Sequence, residues 1–199
     1  MTPFFITGLP RSRTAWLANF FTTQTAFCFH DRCKDGWTAA WVEQSLKMVA
    51  QGFVPGSPPA RYTHVGDADS GLMLIAPQLV VMFPDARWLF VKNTPQCAAE
   101  SYREYFRPGN EYPGGPQPHD IDETMRRAAG YYEKALEAVP FARRIQVDLA
   151  ELDNPKVMFM VWRHLMTGLP WDESRYTMLD TFMVNIIPSK ITVAACPAV

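Results

Sequence analysis

The densest chemistry in the chain lies near its amino end, in Gly8-Leu9-Pro10-Arg11-Ser12-Arg13-Thr14. Two guanidiniums and two hydroxyls stand between an apolar run, residues 3–7, and a segment in which Trp16, Leu17, Phe20 and Phe21 recur at helical spacing. A turn that hands a buried strand over to a helix is a natural anion site. The first amides of a helix have no intrahelical acceptor, and the aligned peptide dipoles place partial positive charge at the same end. Gly8 permits a sharp exit from the strand and Pro10 stiffens the turn. Arg11 offers a permanent forked cation suited to phosphate or sulfate oxygens. Ser12 and Thr14 add hydroxyl donors, and the backbone amides complete a cradle. Taken singly, Arg11 and Arg13 read as well as solvated surface charges, and Thr14 as a helix cap; the position of the group after a strand favours binding. The turn is not the common nucleotide loop G-x-x-x-x-G-K-[ST], because the Gly-Lys pair is absent.

The elements that must hold this turn alternate between strand and helix. After a helix over 13–23, the patterning predicts a strand over 25–30 and an amphipathic helix carrying Trp41, Val42, Leu46 and Val49. Residues 52–60 form a Pro/Gly loop. A strand over 61–65 ends at Gly66-Asp67, and a helix over 70–83 is expected to kink or break at Pro77. Residues 87–92, RWLFVK, are a strand. Thr94-Pro95 caps and opens a helix to about 106. Residues 107–118, RPGNEYPGGPQP, are read as a surface flap or substrate loop reaching to about 119. Asp120 and Glu123 suit a capping box for a helix to about 139. A strand over 144–147, a helix capped by Asn154-Pro155 and a helix over 171–183 complete the series. Strand–helix alternation of this kind predicts one α/β domain over 1–199, with a mainly parallel sheet and helices on both faces.

Composition limits the partners. The 199 residues are 48% hydrophobic and 20% charged, with a formal charge of −1, which describes a globular chain with no basic field to gather nucleic acid. No stretch of about 18 apolar residues offers a membrane span. The expectation is a soluble, cytoplasmic protein without nucleic-acid or membrane partners. Of the four cysteines, Cys28, Cys33, Cys97 and Cys196, the first two flank His30 in a C-x-H-x-x-C cluster. Structural zinc needs four ligands, usually from two separated pairs, and no second pair is evident. No metal is expected, and reduced thiols are preferred.

Pro10-Arg11-Ser12-Arg13-Thr14-Ala15-Trp16-Leu17 resembles the 5′-phosphosulfate loop of the sulfotransferase family, P-[KR]-S-G-T-[TS]-W-L. Arg13 stands where the family has glycine, and Ala15 where it has a hydroxyl residue. A second stretch, FVKNTPQCAAESYREYF, is similar to the family's V-R-[DN]-P-x-[DE]-x-x-x-S, with Ser101 in the place of the serine that holds a 3′-phosphate and Lys92 or Asn93 near the arginine. A third, RRIQVDLAELDNPKVMFMVWRHLMTGLPWDESR, looks like the family's C-terminal strand, acidic turn and helix. The glycine-rich R-K-G-x-x-G loop of many relatives is absent.

The resemblance implies a three-layer P-loop-type fold and 3′-phosphoadenosine 5′-phosphosulfate as sulfuryl donor to a hydroxyl or amine of a small-molecule or glycan acceptor, with no metal required. Gly8, Pro10, Arg11, Ser12, Arg13, Thr14 and Ala15 would hold the 5′-phosphosulfate end, and Lys92, Asn93 and Ser101 the 3′-phosphate. Arg11 would also stabilise charge on the bridging oxygen. For the base, His64 matches a Thr-His pair found in part of the family; Asp67 is its first rival and His30-Asp31 the second. Tyr102, Tyr105 and Phe106 are candidates to meet an acceptor. Two other classes stay open: a P-loop kinase using ATP and Mg²⁺ with Thr14 and Asp67 or Asp148, and a non-catalytic anion-binding protein of the same fold.

Overall fold

Alternating apolar runs and amphipathic segments assemble as a parallel sheet demands. In a computed structural model, the described residues are 1–30, 38–50, 62–105 and 120–175. Five strands, β1 (Thr2–Gly8), β2 (Ala26–His30), β3 (His64–Ala68), β4 (Arg87–Lys92) and β5 (Arg144–Asp148), form one sheet in the order β2-β3-β1-β4-β5. Every neighbouring pair is parallel. Parallel strands need crossover connections, which here carry α1 (Thr14–Phe21), α2 (Ala39–Ala50), α3 (Leu72–Met82), α4 (Pro95–Tyr105), α5 (Ile121–Ala138), and, after β5, α6 (Pro155–Leu165).

Both faces of the sheet are covered. Phe5, Val65, Trp88 and Phe90 pack with α2, α3, α4 and α5 on one side. Phe4, Ile6, Cys28, Leu89, Val91 and Val147 pack with α1 and α6 on the other. Two-sided burial explains why β1 and β4 read as continuous apolar runs instead of alternating ones. A fully buried Phe or Leu contributes ~1.5–3 kcal/mol, and Phe4, Phe5, Phe20, Phe21 and Leu17 are all at 0% exposure. The connection leaving β1 runs towards one edge of the sheet and the one leaving β4 towards the other. Their diverging carboxyl ends open the crevice where α/β sheets bind ligands.

Two expectations about elements are corrected. The third strand runs His64–Ala68, not 61–65. Gly66-Asp67 looks like a turn but lies inside the strand, because Gly66 must pass beneath Phe4: a Cβ there would lie 2.5 Å from the Phe4 ring and carbonyl oxygen. Pro77 does not break its helix, and α3 runs through it, with Pro77 itself on the exposed side. Among the described residues Cys28 is a free buried thiol and Cys97 is disulfide-bonded, so the expectation of reduced thiols holds for Cys28 and fails for Cys97. The loop over 52–60, the flap at 107–119, Asp31, Cys33, Phe106, His119, Cys196 and most of the expected helix over 171–183 lie outside the described residues. Among the described residues no helix is long and apolar enough to cross a membrane.

Most helix starts are capped as their sequences require. Thr94 Oγ1 accepts from the Cys97 amide at 3.2 Å, Asp120 from the Glu123 amide at 2.9 Å, and Asn154 from the Lys156 amide at 3.0 Å. Helix α1 is the reverse case. Its last carbonyls are gathered by Arg175, which donates to Asn19 at 3.1 Å, Phe20 at 3.3 Å and also Thr22. Its first turn has no side-chain cap.

Two outcomes follow from this packing. Gly66→Ala forces a methyl into Phe4 and should lower stability by about 1–3 kcal/mol, read as a drop in urea midpoint at unchanged m-value. His64 is buried and His164 half-buried, and desolvation lowers the pKa of each below its usual 6.5, partly offset by hydrogen bonding with the Thr167 and Arg143 backbones respectively. The unfolded chain then binds more protons than the folded one as pH falls through 6.5 towards the lowered values. Stability should be full above about pH 6.5 and decline below it. Urea titrations at several pH values should show this acid loss, and a His164→Asn variant should flatten it.

Candidate anion-binding site

The site begins where β1 leaves the sheet. Gly8 pairs with Val91 of β4, and a Cβ on it would lie 2.7 Å from the Val91 carbonyl oxygen and 2.9 Å from Ser12 Cβ. Glycine is needed here for space; its φ is not positive. The chain then turns at once, with the Ser12 amide donating to the Leu9 carbonyl at 3.1 Å. Pro10 at the second place and a positive φ of 71° at Arg11 in the third are the marks of a type II turn. Arg13 follows at φ 58°, ψ 29°, again left-handed, and stands as the N-cap of α1. Ser12 between them is not at positive φ. Alternation of this kind turns successive amides towards one side and forms an anion-binding concavity.

Three observations describe what this turn offers to a negative charge. No side chain caps α1, and among the described residues no acceptor is bonded to the amides of Arg13, Thr14 and Ala15. Ser12 is fully buried, and its Oγ has no hydrogen-bond partner. The Arg11 guanidinium is not turned to open solvent; its carbon lies 3.9 Å over the ring of Tyr105.

That stacking joins the turn to α4. Ser101 and Tyr105 are four residues apart and share a helix face. Since Tyr105 meets Arg11, the face carrying Ser101 borders the same crevice. Lys92 ends β4 on the sheet face shared with Trp88 and Phe90, the side on which α4 lies, and its Nζ is 3.7 Å from Asp148 at the end of β5. Both are exposed, so the pair is a weak tie that an anion can displace. Asn93 holds the Thr94 amide through its own side-chain oxygen at 2.9 Å, which commits that oxygen to starting α4.

The candidate bases are distributed otherwise than expected. His64 opens β3 instead of closing it, and lies opposite Thr2 at the start of β1. With a strand rise of roughly 3.3 Å per residue, the run from Thr2 to Gly8 places it about 20 Å from the turn. His64 is also buried and bonded to Thr63 Oγ1 at 3.0 Å. It is not brought together with Arg11. Asp67 is at the carboxyl half of β3, fully buried, next to Phe5 of β1. The last of the three candidates is the one at the loop: His30 closes β2, and its Nε2 is 3.2 Å from Thr14 Oγ1.

Several participants carried little signal. Asp69, just past β3, receives the Thr7 hydroxyl on its carbonyl at 2.9 Å and the Gly71 amide on Oδ1 at 2.7 Å, tying β1, β3 and the start of α3 together. Asp153 binds Arg13 through both nitrogens, at 2.5 and 3.4 Å. Nothing local in the sequence points to a partner 140 residues away. Cys28, the first residue of the C-x-H-x-x-C cluster, is buried beside Asp67, and burial first, then that neighbour, push its thiol pKa well above the ordinary value.

No protein-family model matches the chain, and no curated protein matches it. Solved structures do. A sulfotransferase from Alicyclobacillus acidocaldarius superposes with a TM-score of 0.57 at 14% identity, covering 96% of this chain and 98% of that one. A sulfotransferase from Mycobacterium avium gives 0.60 at 13% identity, over 94% and 68%. A mouse sulfotransferase solved with PAP gives 0.50 at 14% identity, over 89% and 63%. At such identities the likeness concerns the backbone, and it is to proteins that are enzymes: the chain has the parallel α/β fold seen in sulfotransferases.

Proposed function

We propose that the chain is a sulfotransferase that moves a sulfuryl group from 3′-phosphoadenosine 5′-phosphosulfate to a hydroxyl or amine of a small-molecule or glycan acceptor. The observation that carries this reading is the β1–α1 turn: two left-handed residues, an uncapped helix start and a buried unbonded serine at the carboxyl edge of the sheet. The fold neighbours support it, one of them having been solved with PAP.

The amides of Arg13, Thr14 and Ala15, with Ser12 Oγ, would hold the 5′-phosphate. Ser101 would hold the 3′-phosphate, helped by Lys92 once it leaves Asp148. The donor supplies an activated sulfur whose bond to the bridging oxygen breaks as the acceptor's oxygen or nitrogen bonds to it. Arg11 meets the negative charge that grows on the bridging oxygen, and stacking on Tyr105 holds its planar fork in one orientation. His30 is the base that takes the acceptor's proton, since of His30 and His64 it is the one that stands at the loop, and an imidazole is the side chain suited to proton transfer near neutrality. The work of the site is positioning and charge stabilisation.

The rival, phosphoryl transfer from ATP with Mg²⁺, calls for the loop hydroxyl to share a metal with a strand-end carboxylate. Thr14 is instead bonded to His30, and the loop has no lysine.

Thermal unfolding with adenosine 3′,5′-bisphosphate should show stabilisation of about 2.7 kcal/mol at a hundredfold excess over Kd, and Arg11→Ala should reduce it. A larger effect from ATP with Mg²⁺ would favour the kinase. Against a panel of acceptors, His30→Ala should lower turnover ~10²–10⁴-fold while leaving bisphosphate affinity nearly unchanged. Bisphosphate binding without turnover on any acceptor would leave an anion-binding protein instead.

A further inference from the structure

We infer that Asp153 is a positioning residue for the anion loop, clamping Arg13 so that the left-handed turn presenting the first amides of α1 keeps its shape. The geometry of this clamp stands by itself; its consequence for ligand rests on reading the loop as the donor cradle.

Arg13 is held at φ 58°, ψ 29°, a conformation that a side chain with a Cβ resists. Glycine adopts it without that penalty. In place of glycine the chain offers a long side chain with a partner. The guanidinium binds both oxygens of Asp153, Nη1 to Oδ1 at 2.5 Å and Nη2 to Oδ2 at 3.4 Å. A two-point fork fixes direction as well as distance.

The anchor is itself fixed. Asp153 closes a 3₁₀ turn, Leu149–Asp153, directly after β5; Leu152 within it is fully buried, and Asn154 beside it caps α6. The clamp therefore ties the loop after the central strand to the edge of the sheet. Its other end matters because the Arg13 carbonyl accepts the Leu17 amide at 3.0 Å, the opening hydrogen bond of α1. Rotation of Arg13 out of the left-handed region breaks that bond and redirects the amides of residues 13–15. An exposed ion pair adds little to global stability. Its effect here is on one loop.

A competing account has the opposite sign. If Asp153 merely neutralises a cation that would otherwise serve the ligand, removing it frees Arg13 and strengthens anion binding.

Hydrogen exchange on the free full chain separates the two without any ligand. The probes are the Ser12 amide, bonded to Leu9, and the Leu17 amide, bonded to Arg13. Asp153→Asn should speed exchange at both by roughly three- to tenfold, with helices α3 and α5 unaffected. Arg13→Gly accepts the same backbone without the clamp, so adding Asp153→Asn to it should change nothing, and Asp153→Glu should recover part of the protection. Unchanged exchange in Asp153→Asn, a rise spread over the whole chain, or an equal rise in the Arg13→Gly background would each overturn the inference. Titration with adenosine 3′,5′-bisphosphate should then show weaker binding for Asp153→Asn by a similar factor; tighter binding also overturns it. Should the wild-type chain not bind the bisphosphate at all, the sulfotransferase reading fails, while the exchange result still decides the clamp.

Discussion

The close approach of Gly8 to the Val91 carbonyl is the constraint on which the rest depends. With no side chain at this point, β1 stays bonded to β4 until its last residue and the chain must still leave the sheet. The following residues reverse direction in one turn, which pushes Arg11 and Arg13 into left-handed backbone and drops Ser12 into a fully buried position. Each left-handed residue costs roughly 1–2 kcal/mol. The chain retains them because each arginine is fastened from outside the loop, one over Tyr105 and one on Asp153. Strain kept in place by its surroundings is characteristic of sites that must present backbone donors in a set direction.

Helix α1 shows the same division between fixed and open ends. Its buried side is aromatic: Trp16 stacks on Phe20 with centroids 5.1 Å apart, and Phe21 lies 5.9 Å from Trp162 of α6. The Arg175 guanidinium satisfies its carboxyl end. With one face and one end committed, the amino end is the place where charge can be received. Strand β4 and α4 repeat the arrangement in part. Thr94 caps α4, so what α4 presents beside the turn is the face bearing Ser101 and Tyr105 rather than free amides.

The layers were legible because buried parallel strands and amphipathic helices carry strong periodic signals, and the turn because arginine, serine and proline directly after such a strand have few other uses. Positions that depend on contacts between distant segments were not. Gly66-Asp67 has the composition of a turn, and only the passage of Phe4 above it shows that the strand continues. That single shift carried His64 from the expected functional edge of the sheet to the opposite one. Pro77 has the residue type of a helix breaker, and that it faces water is set by packing rather than by its neighbours in the chain. Tyr105 was visible as an aromatic near the site, but not as the support of Arg11. Asp153 was one acidic residue among several in its turn.

Position 13 shows that one left-handed conformation can be held in two different ways. A glycine in such a loop is a local solution, readable from the residue itself. An arginine in the same conformation is a distributed one, since it works only with a carboxylate placed by β5 and the turn behind it. Two chains can then share the geometry while differing at both positions, and each position viewed alone looks like a loss. The physical requirement is on φ and on the direction of the amides, and it leaves the side chains free to vary provided that some contact holds the backbone there.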